Sequence, residues 1–198
     1  MYPESLEKLI ASFRMLPGVG EKTAERYALV MSEADPESVR QFSQALLDVK
    51  AKLIRCKTCG NLSEEEECDI CRDQNRDHTQ ICVVQSPKDV IAFEKTGEYK
   101  GVYHVLGGLI SSSKGIMPED LNLESLLKRA ADAKEVILAT SATLDGETTA
   151  MYLEKVLQNV RADLVITRIS HGLPIGGLVD YADEMTLIHA LADRRRME

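Results

Sequence analysis

With 198 residues, a formal net charge of −8, 44% hydrophobic and 28% charged side chains, the chain has an ordinary globular composition, enough for one good core or for two or three small units. No apolar run approaches the roughly 18 residues of a membrane span, and the opening MYPESLEKLI carries acids where a secretory signal would be apolar, so a cytoplasmic protein with no membrane association is expected. The acidity excludes a protein that coats polyanions with its whole surface, and five cysteines without a signal point to metal binding before disulfides.

Charge is uneven along the chain. Residues 1–55 carry eight basic and eight acidic side chains, residues 56–77 three and seven, so nucleic-acid contact is expected in the N-terminal part.

Leu6, Leu9, Ile10 and Phe13 recur at helical spacing, with Ser5 as the expected N-cap. A second helix is expected over EKTAERYALVM, with Ala24, Ala28 and Met31 on one face. Between them, Pro17 and Gly18 end the first helix and Gly20 is expected to turn the backbone tightly into the second. The start of that second helix offers unpaired N–H groups and the positive end of a dipole, a phosphate site that a Cβ at Gly18 or Gly20 would obstruct. Lys22 and Arg26, four residues apart, project beside it. Such contacts ignore base edges, so binding indifferent to sequence is expected. The plainer reading is a helical hairpin with solvated charges. LPGVGEKTAERYA, however, resembles the helix-hairpin-helix motif of DNA-repair proteins.

CKTCGNLSEEEECDIC contains CxxC, an eight-residue spacer and a second CxxC. Cys56, Cys59, Cys68 and Cys71 suit a tetrahedral Zn²⁺, and with all four positions taken by protein the metal is structural rather than catalytic. The competing readings are a redox pair or chance spacing. The acids Glu64 to Glu67 make this finger a poor groove binder, and Cys82, in an apolar run, reads as an inert core thiol.

From His78 onward, QICVV, GVYHVL, EVILAT and LVITRI alternate with helical periods over PKDVIAFEKTG, LNLESLLKRAADA and ETTAMYLEKVLQ. This predicts an α/β unit with a mainly parallel sheet, its functional residues at the carboxyl ends of the strands. The arrangement resembles the Toprim domain of topoisomerases and primases, whose pattern has a glutamate after the first strand and Asp-x-Asp after the third. Here those positions hold Gln85, Ser141 and Thr143, and only Asp145 and Glu147 are acidic nearby. An amide and two hydroxyls cannot supply the anionic oxygens Mg²⁺ needs, so no catalysis is expected; the alternative is a Toprim-type metal-dependent nucleic-acid enzyme using Asp145 and Glu147. Read plainly, DGE begins a helix with dipole-favourable acids. These two acids are also candidates for a partner-contacting surface. His104 to Leu121 is expected to be a mobile surface loop, and Gly172, Gly176 and Gly177 a structural turn. His104, His171 and His189 lack ligand spacing and read as core or surface.

Over essentially its whole length the chain resembles the RecR family of bacterial recombination proteins. The resemblance implies residues 1–55 as a DNA-binding helix-hairpin-helix domain, 56–77 as a zinc finger, 78–170 as a Toprim-like domain and 171–198 as a C-terminal segment making oligomer contacts. It implies a non-enzymatic mediator that assembles as a ring-like tetramer around DNA. With RecO and RecF, such a mediator loads recombinase onto single strands coated with single-strand-binding protein. Lys22 and Arg26 match the family's basic hairpin positions and the four cysteines its zinc ligands. Gln85 departs from the usual glutamate.

Overall fold

The structure, a computed structural model, describes residues 2–170, 172–194 and 196. It divides into two compact units, Met1–Leu53 and Ile54–Glu198.

In the first unit, α1 (Glu4–Arg14) starts after Pro3, so Ser5 lies inside the first turn instead of capping it. Leu6, Leu9, Ile10 and Phe13 are its half-buried stripe. α1 packs on α2 (Glu21–Glu33), where the small Ala24 and Ala28 are fully buried, and the rings of Phe13 and Tyr27 meet edge to face at 5.7 Å. A third helix, α3 (Pro36–Lys52), has no counterpart in the periodicity reading. Asp35 caps it by accepting from the Ser38 N–H at 2.9 Å, and Pro36 supplies the pre-set first turn. Phe42, Leu46, Leu47 and Val49 on α3 are exposed.

The second unit opens with β1 (Ile54–Arg55) and β2 (Leu62–Ser63), an antiparallel pair, then α4 (Asp69–Arg72). β3 (Asp77–Val84), α5 (Pro87–Glu94), β4 (Gly101–Val105), α6 (Glu124–Ala130), β5 (Glu135–Leu138), α7 (Leu144–Val160) and β6 (Val165–Arg168) follow. The four longer strands form one parallel sheet in the order β4-β3-β5-β6, the α/β class expected. Alternation along β3 divides the core: Ile81 and Val83 face a layer built with Leu126 of α6 and Leu153 and Leu157 of α7, while Cys82 and Val84 face Val90 of α5. Cys82 is a buried core thiol, pushed up to about 12 by its burial.

The segment after β4 is tied down more than its glycines and serines suggest. The Asn122 N–H donates to the Leu106 carbonyl at 2.9 Å, Ser111 bridges to Ile116, and the Ile110 N–H donates to Thr149 Oγ1 at 2.9 Å. Gly107 and Gly115 take the left-handed conformation that these turns require. α8 (Glu184–Ala192) is the last helix of the described residues and follows a turn closed by the Gly177 N–H on the Pro174 carbonyl. His171, singled out in the sequence, lies outside the described residues.

Candidate nucleic-acid interface and metal site

The hairpin between α1 and α2 is closed by the Leu16 N–H on Phe13 O and the Val19 N–H on Leu16 O, each at 3.1 Å. The left-handed conformation falls at Gly18 (φ +79°). Gly20 is the N-cap in an extended conformation (φ −78°) that any residue adopts, so the sharp turn expected at Gly20 belongs to Gly18. What Gly20 contributes is openness: it brings no capping side chain to the start of α2, and a Cβ built there meets nothing within 4 Å. Lys22 and Arg26 are both exposed, one turn apart on α2. Arg26 lies over the Tyr27 ring, 5.5 Å from its centroid, and the neighbouring Glu25 accepts from the Tyr2 hydroxyl. Two exposed cations beside a helix start without a side-chain cap can accompany a phosphate backbone; the arrangement presents nothing that reads bases.

In the second unit, the four cysteine sulfurs lie within 4.8 Å of one another, with Cys56, Cys59 and Cys68 buried. All are free thiols, and Cys59 Sγ and Cys68 Sγ stand 3.6 Å apart. A disulfide needs about 2.05 Å, whereas corners of a tetrahedron with Zn–S bonds of about 2.3 Å lie about 3.8 Å apart. The Cys68 N–H points at Cys56 Sγ at 3.3 Å and the Asn61 N–H at Cys59 Sγ at 3.5 Å, dipoles that favour thiolates. Hydrogen bonds from Cys59 and Cys71 push Cys68 down, while the same contacts and burial push Cys59 and Cys71 up, so the cluster favours one thiolate and full ionisation of the four needs a cation beside them. These residues fit a structural zinc ion held by Cys56, Cys59, Cys68 and Cys71. Left-handed Gly60 makes the knuckle turn.

At the carboxyl edge of the large sheet, Gln85 follows β3, and its Oε1 is buried with no hydrogen-bond partner among the described residues. Thr143 caps α7 by accepting from the Gly146 N–H at 3.2 Å, and Ser141 lies 3.0 Å from Thr143 through their hydroxyls. Asp145 and Glu147 occupy the first turn of α7. Each acid faces a cation: Lys114 Nζ is 3.8 Å from Asp145, and Arg168 at the end of β6 lies 2.5 Å from Glu147 while also donating to Thr140 Oγ1 at 3.0 Å. The acids thus behave as the start of a helix with local counter-ions. Gln85, Ser141 and Thr143 do not fit a magnesium cage. The pairing of Arg168 and Lys114 with these acids escaped the sequence reading because nothing local ties them together.

Among the described residues the histidines are not assembled into a site. His104 is fully buried, bonded through Nε2 to the Asn122 carbonyl at 2.6 Å and through Nδ1 to Arg129 at 3.3 Å. No helix among the described residues is long and apolar enough to cross a membrane.

Four family models match the chain in order: RecR, helix-hairpin-helix, over residues 6–50; RecR, four-cysteine zinc finger domain, over 53–73; Toprim domain over 79–170; and RecR, C-terminal, over 172–195. The recombination protein RecR of Enterococcus faecalis is 48% identical over 198 residues, covering 99% of each chain.

Proposed function

This chain belongs to the RecR family of recombination proteins, and from that premise we propose that it is a non-enzymatic mediator that holds DNA through its helical hairpin. The observation that carries the reading is the exposure of Lys22 and Arg26, one turn apart beside the Gly18–Gly20 hairpin, in a protein otherwise too acidic to attract DNA. Residues 1–55 hold the backbone irrespective of sequence, 56–77 form the zinc finger, 78–170 form the Toprim-like scaffold, and 171–198 make contacts between copies.

A single hairpin with two cations binds weakly. Four on a ring-like tetramer act at high effective concentration. Assembly is supported by the apolar side chains that α3 and the C-terminal segment leave exposed, Leu46, Leu47 and Val49 on one, Tyr181, Ile188 and Leu191 on the other. The ring works with RecO and RecF to load recombinase on DNA coated with single-strand-binding protein, and Asp145 and Glu147 belong to the surface that meets a partner. The absence of catalysis is supported by the pairing of both acids with Lys114 and Arg168 and by the neutral Gln85.

Fluorescence anisotropy of a tailed duplex, titrated at several salt concentrations without Mg²⁺, tests the reading. Each phosphate contact adds about one unit to the log-log salt slope. The folded Lys22→Ala/Arg26→Ala variant should lose affinity and slope together. Equal binding by both proteins would move the DNA site elsewhere, and metal-dependent nicking would revive the Toprim enzyme.

A further inference from the structure

β4 is an edge strand, the outermost in the order β4-β3-β5-β6, yet all five of its residues are buried. An edge strand ordinarily presents a row of unpaired backbone groups. Here Arg76 donates to the Gly101 carbonyl at 3.1 Å and Arg129 to the Tyr103 carbonyl at 2.8 Å, and the cysteine knuckle covers the end of the strand at Val105. The Val105 N–H donates outward to the Cys59 carbonyl at 2.7 Å. The next turn of the knuckle presses close: a Cβ on Gly60 would lie 2.8 Å from the Val105 carbonyl oxygen and 2.7 Å from Asn122 Nδ2. Asn122 completes the cover, its amide bonded to Val105 O at 3.3 Å and its carbonyl taking the His104 ring nitrogen at 2.6 Å.

One side chain fastens the knuckle from the other end. Ile70, between Cys68 and Cys71, packs against the cysteine cluster and against the hydrophobic clusters on both faces of the sheet. A CxxC turn thus inserts its apolar residue where the two core layers meet at the β4 edge.

We propose that the zinc knuckle is a metal-dependent clasp on the β4 edge, so that zinc occupancy sets the order of β4 and of the segment leading away from it. That segment, from Gly107 through Lys114 to Ile116, lines a cavity of about 240 Å³ with Gln85 and Asp145 at the carboxyl edge of the sheet. The knuckle has almost no core of its own, so its carbonyl at Cys59 stays in place only while the four thiolates are gathered. Losing the metal releases Val105 and Asn122 first. β5, hydrogen-bonded between β3 and β6, stays closed, and β3 keeps its pairing with β5. The clasp is independent of the DNA reading.

Hydrogen exchange on the full-length protein, before and after zinc is stripped by a chelator, tests this by mass spectrometry. Peptides covering 101–106 and 119–123 should exchange about tenfold faster or more without zinc, while those covering 81–84 and 135–138 keep their protection. Unchanged exchange at 101–106, or an equal loss across all four stretches, would overturn the clasp. Ile70→Ala separates docking from metal binding: it should retain one zinc per chain by colorimetric release and still lose protection at Val105. A variant that keeps both its zinc and that protection would also overturn the proposal.

Discussion

Arg168, the last residue of β6, holds Glu147 of α7 at 2.5 Å and Thr140 Oγ1 at 3.0 Å, which places an internal cation at the carboxyl edge of the sheet. The pair is partly exposed, so screening limits its worth. Arg168→Ala should cost about 1 kcal/mol in urea unfolding, and Glu147→Gln should cost less again once Arg168 is gone. A double-mutant cycle with no coupling would mean that the two side chains merely lie close.

Gly146 sits inside the first turn of α7, where alanine is ordinarily the better helix former by about 1 kcal/mol. Here a Cβ would stand 2.0 Å from the backbone oxygen of Ser141. Gly146→Ala is therefore expected to destabilise the protein by about 2 kcal/mol or more, the opposite of the helix-propensity sign. Thermal unfolding checks it, and an unchanged or raised Tm would contradict the packing described.

The cysteines divide by role. Cys56→Ser should abolish stoichiometric zinc and lower the Tm, because a structural metal supplies the folding energy of its knuckle. Cys82→Ala should keep one zinc per chain and lose only core packing. Zinc release measured on both variants distinguishes these outcomes, and zinc loss from the Cys82 variant would refute the assignment.

Burial pushes His104 from the usual value near 6.5 down to about 4, with nearby Arg129 acting in the same direction against the hydrogen bond to Asn122. The unfolded chain therefore binds a proton that the folded one refuses. Stability from this group is fully present above pH 6.5 and falls by about 3 kcal/mol as the pH drops to 4. Unfolding free energies of His104→Gln and wild type, compared across pH 4 to 7, should converge towards acid. Parallel curves would show that His104 titrates normally in the fold.

The helical hairpin, the zinc ligands and the α/β sheet were legible because each rests on local spacing: PGVG, paired CxxC, and apolar runs alternating with helical periods. α3 was missed although Asp35 and Pro36 mark its start and Val39, Phe42, Leu46 and Val49 recur at helical spacing along it. The carboxyl-edge pairs were not legible either. Arg168 stands 21 positions from Glu147, and Cys59 meets a strand 46 positions later, so only the folded chain reveals their partnership.

The order of assembly follows from the sheet's register. Gln80 of β3 pairs with Glu135 of β5, 55 positions downstream, whereas α1 and α2 meet within the first 33 residues. On the ribosome the N-terminal helices can close while the rest is still being made, but β3 emerges with Ile81, Cys82, Val83 and Val84 apolar on both faces; β4 can pair with one of its edges early, while the other must wait for β5. The interval between β3 and β5 leaves that edge of β3 unpaired on the nascent chain, and the early helices, complete by then, do nothing to shorten it.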